Sequence, residues 1–342
     1  MRADGDATHR RRFLARVDSL RQAAHIPGLA VAVVNDTTIL FTREFGFADI
    51  DRELPVTLNT PFNIASVTKP LSAVVALKLV ELGKLDLDRP MHSYAGFNEF
   101  CADTRGAESI FFRDFHCGDS TMSLRHVMSM EVNGAPGTRF FYNPVVYSWA
   151  SRPMMEATGE TFSDLMAQYV FRPAGMTQSA RQNRKLPLRE DLAAGLARPY
   201  RWDDSLGVIV PSELPGPQGD GAAGGVIATA HDLARFDIAL TQGKLIGSAS
   251  RNEMWTAGHS PDGATLPYGI GWFVTEIDGE PVCWHTGLWE GAYSALYARF
   301  PGRKLSVIFL ANSDGLRWDN ALDEAALERS PFMKLFVEEM LR

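Results

Sequence analysis

The chain has 342 residues, 45% of them hydrophobic and 22% charged, with a formal net charge of -7. This apolar content is enough for a large core, and the length suggests about two domains. The acidic balance argues against general binding to nucleic acid or to an anionic membrane, and no stretch reaches the roughly 18 apolar residues of a membrane span. Because residues 1–20 lack the apolar segment of a secretory signal, we expect a cytoplasmic protein, or a periplasmic one if a leader has been removed.

The three cysteines, Cys101, Cys117 and Cys283, are an odd and low number for a chain of this length and do not suggest a disulfide framework. A single bridge between Cys101 and Cys117 stays open. His116 and His126 lie near these two cysteines in the sequence, but the spacing matches no usual zinc site. We therefore predict no metal and no cofactor.

The first elements are a helix and a hairpin. Apolar residues recur at helical spacing from Thr8 to Ala24, and Pro27-Gly28 ends that pattern. The segments LAVAVV and TILFTREFG then flank Asn35-Asp36, which predicts two antiparallel strands joined by a tight turn.

The middle of the chain, from about Pro70 to Arg235, is dominated by helical patterns: LSAVVALKLVELGKL, SLRHVMSM, VYSWASRPMMEATG and FSDLMAQYVFRPAGM. Residues 210–225 are rich in proline and glycine and predict a crossing loop. A formal GxGxxG pattern at 219–224 follows prolines rather than a strand, so a turn is a better interpretation than a dinucleotide site.

The last third again reads as strands. GIGWFVTEI and EPVCWHT flank Asp278-Gly279, and AYSALYARF and KLSVIFLAN flank Pro301-Gly302-Arg303. A terminal helix is predicted from about Ala321 to Leu341, broken at Pro331. The resulting fold class is α+β: an antiparallel sheet flanked by the N- and C-terminal helices, formed by residues 1–69 and 226–342, with a mostly helical domain inserted at 70–225.

The sequence Ser66-Val67-Thr68-Lys69 is the one S-x-x-K in the chain, and it starts a long apolar-periodic helix. Residues i and i+3 share a helix face, so Lys69 can reach the Ser66 hydroxyl. The helix N-terminus favours a developing oxyanion, and burial would lower the pKa of Lys69 so that its amine can accept a proton. The alternative is an ordinary serine N-cap beside a solvated lysine, and the tetrapeptide alone does not exclude it.

These residues resemble the serine β-lactamase and penicillin-binding-protein superfamily, in which S-x-x-K is one of three motifs. Within it the chain is similar to the class C β-lactamase branch, which also holds DD-peptidases, D-aminopeptidases and esterases. The resemblance covers most of the chain, through TPFNIASVTKPLSAVVALKLVELGKLDLDRPM, SLRHVMSM, PGTRFFYNPVVYSWA, AAGGVIATAHDLARF, YGIGWFV and WHTG. It implies the fold and acyl-serine chemistry but does not specify a substrate.

The second motif of the superfamily falls on Tyr142-Asn143-Pro144, where the usual pattern is Tyr-x-Asn. The resemblance implies that Tyr142 acts as general base and later as acid, provided that Lys69⁺ keeps its phenol pKa low. Asn143 is a candidate for substrate binding but is expected to point elsewhere. Because Pro144 replaces the amide that holds an amide substrate, the departure favours esters. A buried core tyrosine is the alternative interpretation of Tyr142, with nearby Tyr147 as a rival.

The third motif falls on His285-Thr286-Gly287, where His285 replaces the usual lysine. The resemblance implies that these residues and Leu288 bind substrate, with His285 as a weaker carboxylate anchor than lysine. The backbone N–H groups of Ser66 and Leu288 would form the oxyanion hole. Three further residues are expected to shape the pocket: Trp284, Trp289 and Glu290.

These observations predict a serine hydrolase that acts through an acyl-enzyme on Ser66, with Lys69 and Tyr142 sharing the proton transfers. Its expected partners are small molecules: preferably a carboxylic ester, alternatively a D-amino-acid peptide or a β-lactam. A hypothesis from another class is a catalytically weak binding or sensing module, suggested by Pro144. The oligomeric state stays open.

Overall fold

The structure of the protein is a computed structural model, which describes residues 3–181, 183, 187–216, 219–317 and 323–342. Its α-helices are α1 (Ala3–Ala23), α2 (Thr68–Glu81), α3 (Phe97–Thr104), α4 (Leu124–Met128), α5 (Pro144–Trp149), α6 (Ser151–Thr158), α7 (Phe162–Met166), α8 (Arg172–Ala174), α9 (Glu190–Gly195), α10 (Ala230–Thr241), α11 (Ser248–Met254) and α12 (Pro331–Phe336). Single π-helical turns follow α7, at Ala167–Phe171, and α12, at Val337–Leu341.

The strands are β1 (Gly28–Asn35), β2 (Ile39–Asp49), β3 (Leu54–Pro55), β4 (Phe62–Asn63), β5 (Ala180–Arg181), β6 (Tyr200–Asp203), β7 (Val208–Pro211), β8 (Val226–Ala228), β9 (Gly258–His259), β10 (Thr265–Leu266), β11 (Phe273–Ile277), β12 (Glu280–Trp289), β13 (Tyr293–Phe300) and β14 (Leu305–Ala311). Seven of them form the main sheet, in the order β11-β12-β13-β14-β1-β2-β3.

Strands from the two ends of the chain meet in the centre of this sheet. Strand β1 pairs antiparallel with β14, with Val31 opposite Phe309, and β14 pairs antiparallel with β13. The apolar runs and the turn sequences between them therefore predicted these hairpins, and the expected union of strands from both ends of the chain into one sheet is present. This confirms the α+β class and the antiparallel sheet.

Helices cover both faces of the sheet, which explains why β1 is buried along almost its whole length. On one face, Phe13 of α1 packs against Phe309 of β14 and Phe336 of α12. On the other face, the Tyr297 hydroxyl of β13 donates a 2.6 Å hydrogen bond to Asp237 of α10. A strand covered on both faces has no solvent-facing positions for polar residues, and the sequence of β1 is accordingly an almost continuous apolar run.

The C-terminal helix differs from its prediction. It begins at Pro331 instead of being broken there, because Ser330 caps its first turn and accepts a hydrogen bond from the Met333 N–H. A proline fits the first helical position, where its missing N–H has no partner to lose. Residues 323–326 are not helical, and the predicted start at Ala321 lies outside the described residues.

The segment between α2 and α10 carries the predicted helices in shorter pieces, together with strands that the patterns did not indicate. Strand β8 pairs with both β4 and β5, and β6 pairs with β7. These strands have two to four residues, too few for a periodic signal. The domain boundaries at 69/70 and 225/226 stay predictions.

Two further features concern crosslinks and membranes. Cys101 and Cys117 form a disulfide, so the pairing that the sequence left open is present, and Cys283 is a buried free thiol. Across the described ranges, no helix has both the length and the apolar character needed to cross a bilayer.

Candidate active site

Ser66 lies in a 3-10 turn, Ala65–Val67, that leads directly into α2. The preceding strand β4 is held in place by pairing with β8. The Asn63 side chain then accepts a 2.9 Å hydrogen bond from the Ala65 N–H, and Ala65 adopts a left-handed conformation with φ of 45°. This strained turn presents the half-buried Ser66 side chain to a cleft.

Lys69 lies one turn further along and is fully buried. Its Nζ is 2.8 Å from Ser66 Oγ, 2.9 Å from the Tyr142 hydroxyl and 3.1 Å from the Ala223 carbonyl oxygen. None of these three groups is a carboxylate. Burial alone therefore lowers the pKa of Lys69 well below that of an ordinary lysine. A neutral amine at this position can accept the Ser66 proton.

Tyr142 lies just before α5, and its hydroxyl hydrogen-bonds with the Ser66 side chain as well as with Lys69. Its ring lies parallel to Phe273, with centroids 5.9 Å apart. Burial raises the pKa of Tyr142 above that of a free phenol. This differs from the expectation that Lys69⁺ would lower that pKa, because burial of the phenol is the largest effect. Burial therefore disfavours the charged form of both groups, the ammonium of Lys69 and the phenolate of Tyr142.

The rival tyrosine, Tyr147, has a different role. It is fully buried, and its hydroxyl donates a 3.2 Å hydrogen bond to the backbone carbonyl of Lys69. It supports the first turn of α2 from behind, whereas Tyr142 lines the cleft.

Strand β12 forms the opposite wall of the site. A Cβ atom placed on Gly287 would overlap the Ile64 carbonyl oxygen and come within 3.2 Å of the Ser66 nitrogen. Strand and nucleophile turn can therefore approach this closely only because residue 287 lacks a side chain. Thr286 and Leu288, on either side of it, line the cleft.

His285 lies beneath the cleft rather than on its surface. It is fully buried, its Nδ1 is 2.6 Å from the Thr286 carbonyl oxygen, and its Nε2 is 2.8 Å from the Tyr268 hydroxyl. A carbonyl oxygen can only accept, so Nδ1 donates to it, and Nε2 accepts a hydrogen bond from the Tyr268 hydroxyl. Burial, with Lys69 nearby, lowers the pKa of His285 well below its usual range. A neutral buried imidazole does not fit the predicted role of carboxylate anchor.

The side chain of Asn143 also points away from the cleft, as we expected from the sequence. Its Oδ1 accepts a 3.0 Å hydrogen bond from the Val146 N–H, which caps α5. Its Nδ2 donates to the Phe111 carbonyl and to Asn133. Asn143 therefore holds the segment that carries Tyr142, and its predicted contact with substrate has no support in this geometry.

The cleft above Ser66 has a volume of about 510 Å³. Its lining is mixed, with apolar side chains on most of the surface and a few polar groups: Ala65, Ser66, Phe111, Tyr142, Pro144, Val145, Ser148, Ala223, Gly224, Thr286, Leu288, Trp289, Arg317 and Asp323. Trp289 is there as expected, whereas Trp284 stacks on Phe273 and shapes the cleft only indirectly.

Arg317 and Asp323 were missed by sequence reasoning. Both residues follow the last strand of the sheet and lie far from Ser66 in the sequence, so no local motif marks them and only the fold brings them to the cleft. Asn63 was missed too, although an asparagine three residues before the nucleophile is a signal for a local turn. No cluster of three or more His, Cys, Asp or Glu side chains that could hold a metal ion occurs within the described ranges.

Comparisons with known proteins identify the family of this chain. The profile of the family described as Beta-lactamase matches residues 13–329. Penicillin-binding protein 4* of Bacillus subtilis (strain 168) is 27% identical over 318 residues, which are 84% of this chain and 69% of that protein. The chain spans about 60% of the length of several other curated relatives that it matches.

Two solved structures share the fold. The D-amino acid amidase of Ochrobactrum anthropi SV3 superimposes with a TM-score of 0.72 at 19% identity, over 94% of this chain and 95% of that one. A class C β-lactamase of Rhodobacter sphaeroides gives a TM-score of 0.69 at 17% identity, over 96% and 99% of the two chains. With the family match over nearly the whole sequence, the chain belongs to the Beta-lactamase family of serine hydrolases and has the fold of its class C and penicillin-binding members.

Proposed function

We propose that the protein hydrolyses small carboxylic esters or amides through an acyl-enzyme on Ser66. The observation that carries this proposal is the buried contact of Lys69 Nζ with both Ser66 Oγ, at 2.8 Å, and the Tyr142 hydroxyl, at 2.9 Å. An ordinary capping serine beside a solvated lysine would not bury the amine, since an unpaired buried cation is costly.

Acylation follows from these positions. Lys69 accepts the Ser66 proton as Oγ bonds to the substrate carbonyl carbon, and the carbonyl π electrons move onto its oxygen. The backbone N–H groups of Ser66 and Leu288 are the proposed donors to that oxyanion. When the oxyanion collapses, the bond to the leaving group breaks, and Tyr142 passes it a proton while Lys69 re-protonates the tyrosine. Water then attacks the acyl carbon while Lys69 accepts a proton from it, the bond between that carbon and Ser66 Oγ breaks, and Ser66 takes up the proton as the acid is released.

The cleft favours a small ester with an apolar acyl group. Phe111, Val145 and Leu288 give the space above Ser66 an apolar surface. Pro144 has no amide with which to hold the backbone of a peptide or the amide of a β-lactam. Because esters are less dependent on such a contact, they are our preferred substrates.

D-Amino-acid amides or peptides are a second candidate, supported by Asp323 and Arg317. An exposed carboxylate and an exposed guanidinium at the rim of the cleft can pair with an ammonium and a carboxylate of a substrate. The D-amino acid amidase of Ochrobactrum anthropi SV3 has the same fold. β-Lactams are a third substrate class to include in any panel.

Labelling with a fluorophosphonate tests the proposal. We expect one adduct per chain, located by mass spectrometry on Ser66, and a burst of nitrophenol with p-nitrophenyl butyrate. Ser66→Ala abolishes both, whereas Ser148→Ala, which removes another serine of the same cleft, keeps them. Full activity in Ser66→Ala would refute the assignment. Tight binding of one ligand without turnover of esters, D-peptides or β-lactams would favour a binding or sensing module.

A further inference from the structure

A second cleft, of about 490 Å³, lies between the end of α4 and the segment that follows α11. Its apolar surface comes from Pro136, Pro261 and Ile270. It shares Tyr268 with the catalytic region, since Tyr268 lines this cleft and hydrogen-bonds with His285. The reaction proposed above uses none of the other residues that line it.

The distinctive group in this cleft is the carboxylate of Glu131. Its side chain lines the cleft although the residue is only 8% exposed. Within the described part of the chain, no group donates a hydrogen bond to this carboxylate and no cation lies within ion-pair distance, and the more distant charge of Arg125 only partly opposes the effect of burial. Burial raises the pKa of Glu131 to about 7. A buried carboxylate without a partner is costly, and it is a ready acceptor for a ligand.

Among the residues that the structure describes, the atoms that surround the Glu131 carboxylate donate no hydrogen bond to it. His126 Nδ1 accepts a 3.1 Å hydrogen bond from the Ser123 N–H, so the proton of a neutral imidazole lies on Nε2, which faces Gly137. Glu131 Oε2 faces the same glycine, and a Cβ atom on Gly258 would overlap Oε1. The absence of both side chains leaves the carboxylate open to the cleft.

The other titratable and charged groups around this cleft do not neutralise Glu131. Arg125 donates hydrogen bonds to Asp88, at 2.6 Å, and to Glu253, at 2.6 Å, so its charge is already paired. Burial lowers the pKa of His126, which keeps it neutral near pH 7. His259 and Tyr268 complete the set.

We propose that this cleft binds a small organic cation with a primary ammonium group. The ammonium donates hydrogen bonds to the Glu131 carboxylate, and the apolar body of the ligand lies against Pro136, Pro261 and Ile270. An ammonium supplies the donors and the charge that Glu131 lacks, and the volume leaves room for a ring or a short chain. The inference does not depend on the reaction at Ser66.

Benzylammonium is a suitable probe, with benzyl alcohol as its uncharged counterpart. Binding is measured by isothermal calorimetry to the full chain at pH 8, for the unaltered protein, Ser66→Ala, Glu131→Gln and Glu253→Gln. We expect benzylammonium to bind the first two equally and Glu131→Gln at least about 10-fold more weakly, the loss typical of a charged hydrogen bond. Glu253→Gln is the matched control, because its carboxylate already has a partner, and it should change affinity less than about 3-fold.

A pH series on the unaltered protein tests the same proposal without a variant. The ammonium stays charged from pH 5.5 to 8, whereas Glu131 takes up a proton, so affinity should fall about 30-fold as the pH drops from 8 to 5.5. Equal binding by Glu131→Gln, equal binding at the two pH values, loss of binding in Ser66→Ala, or no binding at about 20 mM probe would each overturn the proposal.

Discussion

Replacing Gly287 by alanine adds one methyl group where strand β12 crosses the nucleophile turn. The new Cβ would overlap the Ile64 carbonyl oxygen and lie 3.1 Å from the Ile64 carbonyl carbon and 3.2 Å from the Ser66 nitrogen. Because these atoms are backbone, no side chain can rotate away to make room. The strand must instead move from the turn by about 1 Å to restore ordinary contact distances.

This displacement separates the two proposed oxyanion donors, one on each side of the gap. Loss of one such donor costs about 100- to 1000-fold in kcat, and a misplacement of about 1 Å costs about 100-fold. We therefore expect kcat to fall about 100-fold while KM changes little. Overpacking should also lower the free energy of unfolding by about 1–3 kcal/mol.

The assay is steady-state hydrolysis of p-nitrophenyl butyrate, together with thermal unfolding and fluorophosphonate labelling of Ser66. Gly302→Ala is the control, in the turn that joins β13 and β14, since the closest atom to its Cβ would be the end of the Glu280 side chain, at 3.6 Å. It should retain activity and stability. A Gly287→Ala variant with unchanged kcat and unchanged unfolding temperature would show that the close approach of strand and turn is not required.

Lys69→Met should remove acylation, measured by the burst, yet unfold no more readily than the original protein, because a buried amine without a carboxylate is replaced by an apolar chain. The pH profile of kcat/KM should rise with a midpoint well below the usual lysine pKa, since the neutral amine of Lys69 is the active form, and should not fall again before the usual phenol pKa, since Tyr142 stays protonated. Burial raises the pKa of Glu131 from 4.5 to about 7 in the folded protein, so the folded state binds the carboxyl proton more tightly than the unfolded chain does. Relative to Glu131→Gln, the free energy of unfolding should therefore fall by about 3 kcal/mol as the pH rises from 4.5 to 8. The corresponding fall in unfolding temperature is about 4 °C. Reducing the Cys101–Cys117 disulfide, which closes a separation of 16 residues, should lower the free energy of unfolding by about 3 kcal/mol. Thermal unfolding with and without reductant measures this loss. The cytoplasmic location stays a prediction.

The sequence predicts most of the main sheet because each of the three predicted hairpins carries two local signals, apolar runs and a short turn sequence between them. Asn35-Asp36 and Pro301-Gly302-Arg303 mark two turns, and the structure has strands on both sides of each. The short strands β4, β5 and β8 were missed, because segments of two or three residues are selected by tertiary pairing rather than by local pattern. The start of the C-terminal helix was also mispredicted, because a proline is compatible either with a break in a helix or with its first turn.

At the active site, the motifs predict which residues meet but not their protonation. Ser66, Lys69 and Tyr142 are brought together as proposed from the sequence, since short motifs encode the local turn and its neighbours. Whether His285 faces the substrate depends instead on the register of β12 and on Tyr268, a residue 17 positions away. Burial of an ionisable group is a property of the whole fold, so no spacing rule reveals it.

The environment of Lys69 differs from that of the other buried cations in a way that indicates chemistry rather than stability. Arg181 pairs with Asp220 at 2.9 Å, and Arg299 pairs with Asp237 at 2.9 Å. Such partners keep a buried cation charged and offset part of its desolvation. Lys69 is equally buried, yet the groups around its Nζ are a hydroxyl, a phenol and a carbonyl oxygen. A carboxylate there would hold the proton on the amine and prevent it from accepting the serine proton. Surroundings that destabilise the charged form of Lys69 are therefore what make it a base. At the two buried arginines, by contrast, the same fold supplies a carboxylate partner.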